Sequence, residues 1–139
     1  MVSVLIVNWN TRDLCRSCIQ STLRRPPEGS YEILVVDNDS SDGSAAMVET
    51  EFPDARLFRP GKNLGYAAGN NLAFSHAQGE LLLTLNPDTE FEDDTLARAC
   101  AAIAKQPRAG SLAVRLVGPD GRTQRSVRGF PTPLGVMGQ

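Results

Sequence analysis

Two continuous apolar runs predict buried strands near the start of the chain. Residues 2–7, VSVLIV, and residues 31–37, YEILVVD, are rich in β-branched side chains and do not alternate with polar ones. Between them, residues 12–25 have a helical pattern, with Thr11 placed to cap the helix and PPEG placed to end it. The side chains that recur at helical spacing are Leu14, Cys18, Ile19, Thr22 and Leu23.

The same succession of strand and helix continues along the chain. The predicted elements are a helix over 45–52, a strand over 55–60, a Gly/Asn-rich loop from 61 into a helix ending near His76, a strand over 80–85, a helix over 95–106 opened by Asp93 or Asp94, and a fifth strand over 110–117. The turn GPDGR then separates LAVRLV from TQRSVRGF and predicts a hairpin.

Strands that alternate with helices predict a parallel sheet with right-handed crossovers. We therefore expect an open α/β sandwich that forms one domain over residues 1–139. In such sheets, ligands bind beyond the carboxyl ends of the strands. The segments NWN, DNDSSDGS, NLGYAAGNN and NPDT follow four of the strands, so we expect their polar side chains to face one cleft.

Composition and charge restrict the classes of function. A chain with 41% hydrophobic and 22% charged residues has ordinary globular usage, and its net charge of -2 predicts no nucleic-acid partner. The longest apolar runs are too short to cross a bilayer, and the N-terminus does not resemble a secretory signal, which favours a cytoplasmic location. The odd count of 3 cysteines argues against a disulfide framework.

The motifs of several common cofactors are absent. NWNTRDL, after the first strand, contains no glycine and so lacks the NAD fingerprint, and GKNLGYAAG lacks the order of a P-loop. A single histidine counts against zinc. What remains is an acid at one strand end, Asp37, suited to a base or ribose, and another, Asp88, suited to a hard cation such as Mg²⁺ or Mn²⁺. A nucleoside diphosphate would use both acids.

Four motifs carry a resemblance to a known family. SVLIVNWN, ILVVDNDSSDGS, NLGYAAGNN and LLLTLNPDT resemble, in this order, the signatures of the family 2 inverting glycosyltransferases, and most closely their rhamnosyltransferase-like branch. The resemblance extends from residue 2 to about residue 133. It implies the GT-A fold, a three-layer α/β/α sandwich with a mostly parallel sheet, truncated here at the C-terminus to the donor-binding portion.

The resemblance also implies a site for a nucleotide-diphosphate sugar, either a UDP-sugar or a dTDP-sugar, with dTDP-rhamnose as the specific expectation. Asp88 matches the last acid of the D-x-D metal motif, whereas the first position is Asn86. Because that position carries no charge, we expect weak binding of Mg²⁺ or Mn²⁺ in the absence of donor. The residues implied at the nucleotide sugar are Val7, Asn8, Asn10, Asp37, Asn38, Gly65, Asn70, Asn71 and Asn86.

The implied reaction transfers the sugar with inversion to a glycan or a lipid-linked acceptor. A base deprotonates the acceptor hydroxyl, and the metal offsets charge on the leaving diphosphate. Family members continue well past residue 139 and usually carry the general base there, so these residues are expected to bind donor without completing turnover. The alternative is a non-catalytic nucleotide-binding or interaction module, whose exposed fifth strand and hairpin would favour a homodimer.

Simpler structural explanations exist for several residues. Asp37 alternatively caps a turn, and NPDT alternatively forms a type I turn with Pro87 at its second position. Within the C-x-x-C spacing, Cys18 is predicted to be core and Cys15 an ordinary helix residue, without redox or metal chemistry. The acids interpreted as a solvated turn and helix cap are Glu90, Glu92, Asp93 and Asp94.

Other side chains leave two interpretations open. Trp9 either stacks on a base or packs beside the first strand, and His76 is most simply a surface residue, with a general-base role as the alternative. A positive balance near the C-terminus suits a diphosphate, an anionic surface at the inner face of the membrane, or simply a solvated hairpin. The residues that provide it are Arg115, Arg122, Arg125 and Arg128.

Overall fold

The computed structural model describes residues 1–124, in which four strands form one parallel sheet with the order β3-β2-β1-β4. The elements are β1 (Val2–Asn8), α1 (Arg12–Arg24), β2 (Tyr31–Asp37), α2 (Ser44–Glu51), β3 (Arg56–Phe58), α3 (Gly65–His76), β4 (Leu81–Leu85) and α4 (Thr95–Ala104). They lie in one compact unit, Met1–Pro107, and a second unit begins at Arg108. The single domain predicted over the whole chain therefore stays a prediction.

The apolar run of β1 forms a central strand that is buried along its entire length. Val4 and Ile6 face a core that α1, α2 and α4 cover, whereas Leu5 and Val7 face a second core that α3 covers. A strand covered on both faces requires apolar side chains at successive positions, which explains the absence of alternation in this run. The three-layer α/β/α sandwich is confirmed.

Helix α1 forms over the predicted residues, and its buried face includes Cys18, Ile19 and Thr22 as the apolar spacing indicated, but not Leu14 and Leu23. Leu14 and Leu23 are 49% and 44% exposed. The buried side consists of Cys15, Cys18, Ile19, Ser21 and Thr22. Cys15 is thus part of the core rather than an ordinary helix residue, because small side chains let the helix lie close to the sheet.

Strand β4 differs from the fully buried strand that its sequence indicated. Leu81, Leu83 and Leu85 face the core beneath α1, but Leu82 is 42% exposed and Thr84 is exposed. Within the described residues β4 pairs only with β1, and α3 packs over β1 and β2 instead. One face of β4 is therefore open in this part of the chain.

The predicted fifth strand is wrong. Residues 111–116 have no regular secondary structure, and the bridge between Val117 and Thr123 is antiparallel and isolated. The hairpin turn itself is confirmed: Gly121 has a φ of +74°, and Asp120 accepts a hydrogen bond from the Arg122 N–H at 3.0 Å. Arg125, Arg128 and most of TQRSVRGF lie outside the described residues. No helix within residues 1–124 is long and apolar enough to cross a membrane.

A polar cluster holds the amino edge of the sheet. The Glu32 carboxylate accepts hydrogen bonds from the Ser3 hydroxyl at 2.7 Å, the Gln78 N–H at 2.6 Å and the Arg56 guanidinium at 2.9 Å. Burial by itself would raise the pKa of Glu32, but these three donors outweigh it and lower that pKa below its usual value. Glu32 therefore joins β1, β3 and the connection between α3 and β4.

The lowered pKa of Glu32 predicts a pH-dependent contribution to stability. Because the folded-state pKa lies below the unfolded value, the contribution is complete above the unfolded pKa and is lost as pH falls through the folded one. Urea unfolding of the unaltered chain and of Glu32→Gln, from about pH 7 to about pH 3, should show a difference in unfolding free energy that narrows on acidification. A difference that stays constant over this range would contradict the assignment.

Candidate functional site

Asn8 and Asp37 end two neighbouring strands and contact each other. They are register partners in the β1–β2 pair, and the Asn8 side-chain amide donates to Asp37 Oδ1 at 3.1 Å. Both are buried, at 1% and 4% exposure. Burying a carboxylate and an amide costs free energy unless each is hydrogen-bonded, so this pair is held in a specific arrangement at the carboxyl edge of the sheet.

The remaining polar atoms of this pair also have partners. Asp37 Oδ2 accepts from the Ser40 N–H at 3.0 Å, so Asp37 does shape the following turn, as the simpler explanation predicted. Asn8 Oδ1 accepts from the Thr11 hydroxyl at 2.7 Å. Thr11 occupies the N-cap position of α1 but makes no side-chain cap, because its hydroxyl is committed to Asn8.

The loops after β1 and β2 interlock through Asn10. Its N–H donates to Ser40 Oγ at 2.9 Å, and its Oδ1 accepts from the Ser41 N–H at 2.8 Å. Asn10 and Asp39 have φ values of 53° and 64°, in the left-handed region that non-glycine residues seldom adopt. Strained backbone of this kind is retained where the surroundings hold it and is frequent at ligand sites.

Asp42 connects two helices. Its Oδ2 accepts from the Arg12 N–H at 2.8 Å, and its Oδ1 accepts from the Ser44 N–H at 3.0 Å and from the Ser44 hydroxyl. Burial alone would raise the pKa of Asp42, but the hydrogen bonds from Ser44 and the Arg12 amide outweigh it and lower the pKa. The carboxylate is therefore charged at neutral pH, and it caps the first turns of α1 and α2 together.

Asn38 fixes the start of α3 at the same edge. Its amide donates to the Gly65 carbonyl at 3.2 Å, and its Oδ1 lies 3.4 Å from the Leu64 N–H. A Cβ on Gly69 would lie 2.8 Å from Val7 Cγ1, so glycine lets the helix approach the end of β1 closely. The segment that was predicted as a loop is helical from Gly65 onward, which corrects the predicted start of this helix.

The end of β4 forms the turn predicted for NPDT. The Thr89 N–H donates to the Asn86 carbonyl at 3.1 Å, and that carbonyl also lies 3.5 Å from Cys18 Sγ. The side chains of Asn86 and Asp88 are exposed. The turn and a ligand-binding role are compatible, since the turn constrains the backbone and leaves the Asp88 carboxylate free to face solvent.

The two cysteines of α1 are buried thiols with raised pKa values. Burial raises the pKa of Cys15 to about 12, with further contributions from the charges of Asp37 and Asp42. Burial likewise raises the pKa of Cys18 to about 12, with contributions from Cys15, Asp88 and Glu90. Both thiols therefore stay protonated at neutral pH, without the reactivity of a thiolate.

Two predicted site residues lie on α3 and are not hydrogen-bonded to the Asn8–Asp37 pair in the described part of the chain. Asn70 and Asn71 lie further along α3, where the Asn70 amide donates to the Tyr66 carbonyl at 3.0 Å and Asn71 is exposed. Asn70 Oδ1 is buried and has no hydrogen-bond partner among the described residues. Among the described residues, neither asparagine makes a hydrogen bond to Asn8 or Asp37. Their predicted role at the nucleotide sugar therefore rests on the resemblance alone.

The oxygen groups at this edge fit a metal ion that binds together with a ligand. Across residues 1–124 no three His, Cys, Asp or Glu side chains lie close enough to hold a metal ion. Asp88 offers one exposed carboxylate, and Asn86 a neighbouring exposed amide. Mg²⁺ typically takes one or two protein carboxylates and completes its coordination with water and substrate phosphates.

Trp9 is left without the packing role, whereas His76, Asp93 and Asp94 have simpler roles. Trp9 is 56% exposed and so does not pack into the core beside β1, and the exposed His76 stacks on Phe58 with ring centroids 4.6 Å apart. Asp93 and Asp94 form ion pairs with Arg98 and Arg25 at 3.2 and 3.5 Å. Exposed pairs of this kind contribute little to stability, in agreement with a solvated turn.

An open cavity of about 550 Å³ lies elsewhere, at the end of α1. Its lining consists of Arg24, Arg25, Glu90, Phe91 and Glu92. It contains none of the predicted site residues, and its arginines and glutamates balance in charge. The interlocked strand ends are therefore the better candidate site.

Ser40, Ser41 and Asp42 belong to the site but were not among the predicted residues. The segment DNDSSDGS was expected to face the cleft, but no role was predicted for these three side chains. The short oxygen-bearing side chains of this segment indicated hydrogen bonds to nearby residues. The observed partners of these side chains in the loop after β1 are instead some thirty residues away, and Arg12 precedes Asp42 by 30. Residue spacing alone does not reveal such contacts.

Comparison with known proteins identifies relatives along almost the whole chain. Residues 3–135 match the family Glycosyl transferase family 2. The O-antigen biosynthesis protein RfbC of Myxococcus xanthus is 30% identical over 127 residues, which cover 90% of this chain and 10% of the relative. The N-acetylglucosaminyl-diphospho-decaprenol L-rhamnosyltransferase of Mycobacterium tuberculosis is 27% identical over 124 residues, which cover 81% of this chain and 40% of the relative.

Solved structures share the fold. The mannosyltransferase PcManGT from Pyrobaculum calidifontis, in complex with GDP-Man and Mn²⁺, aligns with a TM-score of 0.68 and 27% identity over 74% of this chain and 32% of its own. TarS 1-349 of S. aureus, in complex with UDP-GlcNAc, aligns with a TM-score of 0.68 and 24% identity over 76% of this chain and 32% of its own. The chain thus spans less than half the length of these relatives.

Proposed function

The chain belongs to glycosyl transferase family 2, and from this premise we propose that the loops at the carboxyl edge of its sheet bind the nucleotide of a UDP- or dTDP-sugar. The observation that carries the proposal is the buried Asn8–Asp37 pair, in which a carboxylate is fixed at the end of the central strands. A carboxylate held in this way can accept hydrogen bonds from a pyrimidine base or a ribose. Asn10, Asn38 and Gly65 are joined to its surroundings and complete the proposed nucleoside side of the site.

The proposed diphosphate side lies at the end of β4. Asp88 and Asn86 are the residues that would hold Mg²⁺ or Mn²⁺ together with the diphosphate. A bound divalent cation offsets negative charge that develops on a leaving diphosphate. Asp88 is exposed and follows β4, which pairs in parallel with β1 as β2 does, and this supports a carboxylate on the same edge as Asp37.

The reaction we propose is transfer of the sugar, with inversion, to a glycan or a lipid-linked acceptor in polysaccharide biosynthesis. Support comes from relatives named for O-antigen biosynthesis and for rhamnosyl transfer to a diphospho-decaprenol acceptor. dTDP-rhamnose is the specific donor proposed. A lipid-linked acceptor would bring the protein to a membrane surface, which supports a peripheral location.

Nucleotide binding with and without metal tests the proposal. Calorimetry with UDP, dTDP and GDP should show binding of a pyrimidine nucleotide that Mn²⁺ strengthens by about tenfold or more, because the diphosphate completes the metal coordination. Trp9 is the only tryptophan and lies exposed between Asn8 and Asn10, so its fluorescence should change on binding. In Asp88→Ala the strengthening by Mn²⁺ should disappear.

Glu92→Ala is the matched control, since it removes a nearby exposed carboxylate that has no proposed role. It should keep the response to Mn²⁺. Failure of every nucleotide to bind under any metal condition would refute the proposal, and an unchanged metal response in Asp88→Ala would refute the role of Asp88. Nucleotide binding without sugar transfer is expected of these residues under either function, whereas transfer of a sugar by residues 1–139 alone would rule out the non-catalytic alternative.

A further inference from the structure

We propose that Asp42 is a positioning residue for this site: by joining the first turns of α1 and α2, its carboxylate fixes the loop that carries Asn10 against the loop that follows Asp37. The inference rests on the proposed function, because it concerns how the same nucleotide site is held in shape. Asp42 has no proposed contact with nucleotide, so its effect would pass through Asn10 and Asp37.

The first step in the argument is that one side chain serves two helices. The first N–H groups of a helix have no partner within the helix and need one from elsewhere. Thr11 at the start of α1 and Gly43 at the start of α2 make no side-chain cap. The Asp42 carboxylate instead receives the Arg12 N–H at 2.8 Å and the Ser44 N–H at 3.0 Å, one on each oxygen.

The second step is that the same two segments are joined again beside Asp42. Asn10, two residues before Arg12, accepts hydrogen bonds from the Ser41 N–H at 2.8 Å and the Ser41 hydroxyl at 3.3 Å. Asn10 keeps a φ of 53° while doing so. A backbone strained in this way relaxes when its anchors are removed, so loss of Asp42 is expected to release the Asn10–Ser41 contact.

The third step links this contact to Asp37. The Ser40 N–H donates to Asp37 Oδ2 at 3.0 Å, and the Ser40 hydroxyl lies 3.2 Å from the Asn8 amide that holds Asp37 Oδ1. Ser40 immediately precedes Ser41, whose N–H donates to Asn10 Oδ1. A shift of this loop therefore moves donors on both sides of the Asp37 carboxylate, and the geometry presented to a nucleotide changes with it.

Binding measurements on Asp42 variants test the inference. Asp42→Ala should weaken binding of UDP or dTDP by about tenfold. Asp42→Asn keeps one acceptor oxygen and should lie between the alanine variant and the unaltered chain. The matched control is Asp93→Ala, which removes a carboxylate that receives the Thr95 hydroxyl at the start of α4 and has no proposed role in the site. Its affinity should stay within about twofold of the unaltered chain.

Amide hydrogen exchange provides a readout that does not depend on nucleotide. In Asp42→Ala the Ser40 and Ser41 N–H groups should exchange faster, since their acceptors on Asp37 and Asn10 are released. In Asp93→Ala both should exchange as in the unaltered chain. A general loss of stability would accelerate exchange in the β1 and β2 core as well, which separates the two causes.

Each outcome bears on the inference. If Asp42→Ala folds, and both its nucleotide affinity and the exchange rate of the Ser41 N–H are unchanged, the inference is wrong. If Asp42→Ala does not fold, Asp42→Asn decides in the same way. If the unaltered chain binds no nucleotide, the proposed function fails, whereas exchange at Ser41 still decides whether Asp42 holds the two loops together.

Discussion

Exchanging Asp37 for asparagine is expected to weaken binding of UDP or dTDP by about a hundredfold, which corresponds to ~2.7 kcal/mol. The carboxylate has a donor on each side, the Asn8 amide at 3.1 Å and the Ser40 N–H at 3.0 Å. An asparagine must direct its own NH₂ group at one of them, whichever way the amide is turned. The buried site would then lose its charge, and the new NH₂ group would face another hydrogen-bond donor with no acceptor between them. We expect this to lower the unfolding free energy by about 1–3 kcal/mol.

Glu32→Gln is the matched control for this experiment. Glu32 lies near the other end of the same strand, and its carboxylate also receives donors only, from Ser3, Gln78 and Arg56. The change should therefore lower stability at neutral pH but leave nucleotide affinity within about twofold. Calorimetry and urea unfolding on both variants give the two quantities. If both variants lose the same amount of nucleotide affinity, the loss follows from lower stability alone. The proposed role of Asp37 in nucleotide binding would then be wrong.

Gly79→Ala is expected to produce the largest loss of stability among single-methyl additions. A Cβ at this position would lie 2.6 Å from the Ser3 backbone nitrogen and 2.9 Å from the Met1 carbonyl oxygen. Ser3 belongs to the central strand and Met1 immediately precedes it, and these backbone atoms cannot rotate away as a flexible side chain would. Overpacking of this kind costs about 1–3 kcal/mol, and thermal unfolding should shift down by about 4–12 °C.

Gly110→Ala adds the same methyl group at a position with no heavy atom within 4 Å of the new Cβ. Its Tm should equal or slightly exceed that of the unaltered chain, because alanine restricts the unfolded state. Equal Tm values for the two variants would show that the connection between α3 and β4 tolerates displacement from β1. The close approach of Gly79 to Ser3 would then not contribute to stability.

The parallel α/β fold could be predicted from the sequence because its signals are local. The run VSVLIV lacks alternation, which indicates a strand covered on both faces, and β1 is central. The same reasoning failed for LLLTL, since β4 has one open face in the described residues. The two runs look alike, and the difference lies in where α3 packs, which neither run encodes.

The predicted fifth strand failed for a related physical reason. LAVRLV has the composition and alternation of a strand, but a strand also needs a neighbour that pairs with it along its length. In residues 108–124 the pairing reduces to Val117 and Thr123. Turn chemistry is more local, and the Pro-Asp-Gly turn in the same segment was predicted correctly.

The candidate site could be predicted in outline but not in detail. Parallel strands bring their carboxyl ends to one edge, so the proximity of Asn8 and Asp37 followed from topology. The capping of α1 by Asp42 did not, because Thr11 was the local candidate and its hydroxyl is bound to Asn8. Whether the Thr11 hydroxyl caps α1 or binds Asn8 depends on the tertiary structure, which places Asn8 within reach.

The position of β1 between β2 and β4 has a consequence for the chain as it is synthesised. Tyr31, the partner of Val2 on one side, soon follows it from the ribosome, whereas Leu81, the partner on the other side, emerges much later. Until then a nascent chain would expose the backbone of one edge of β1, and such edges pair readily with other polypeptides. A stalled chain from which β4 has not yet emerged should therefore aggregate more readily than one in which β4 has paired with β1.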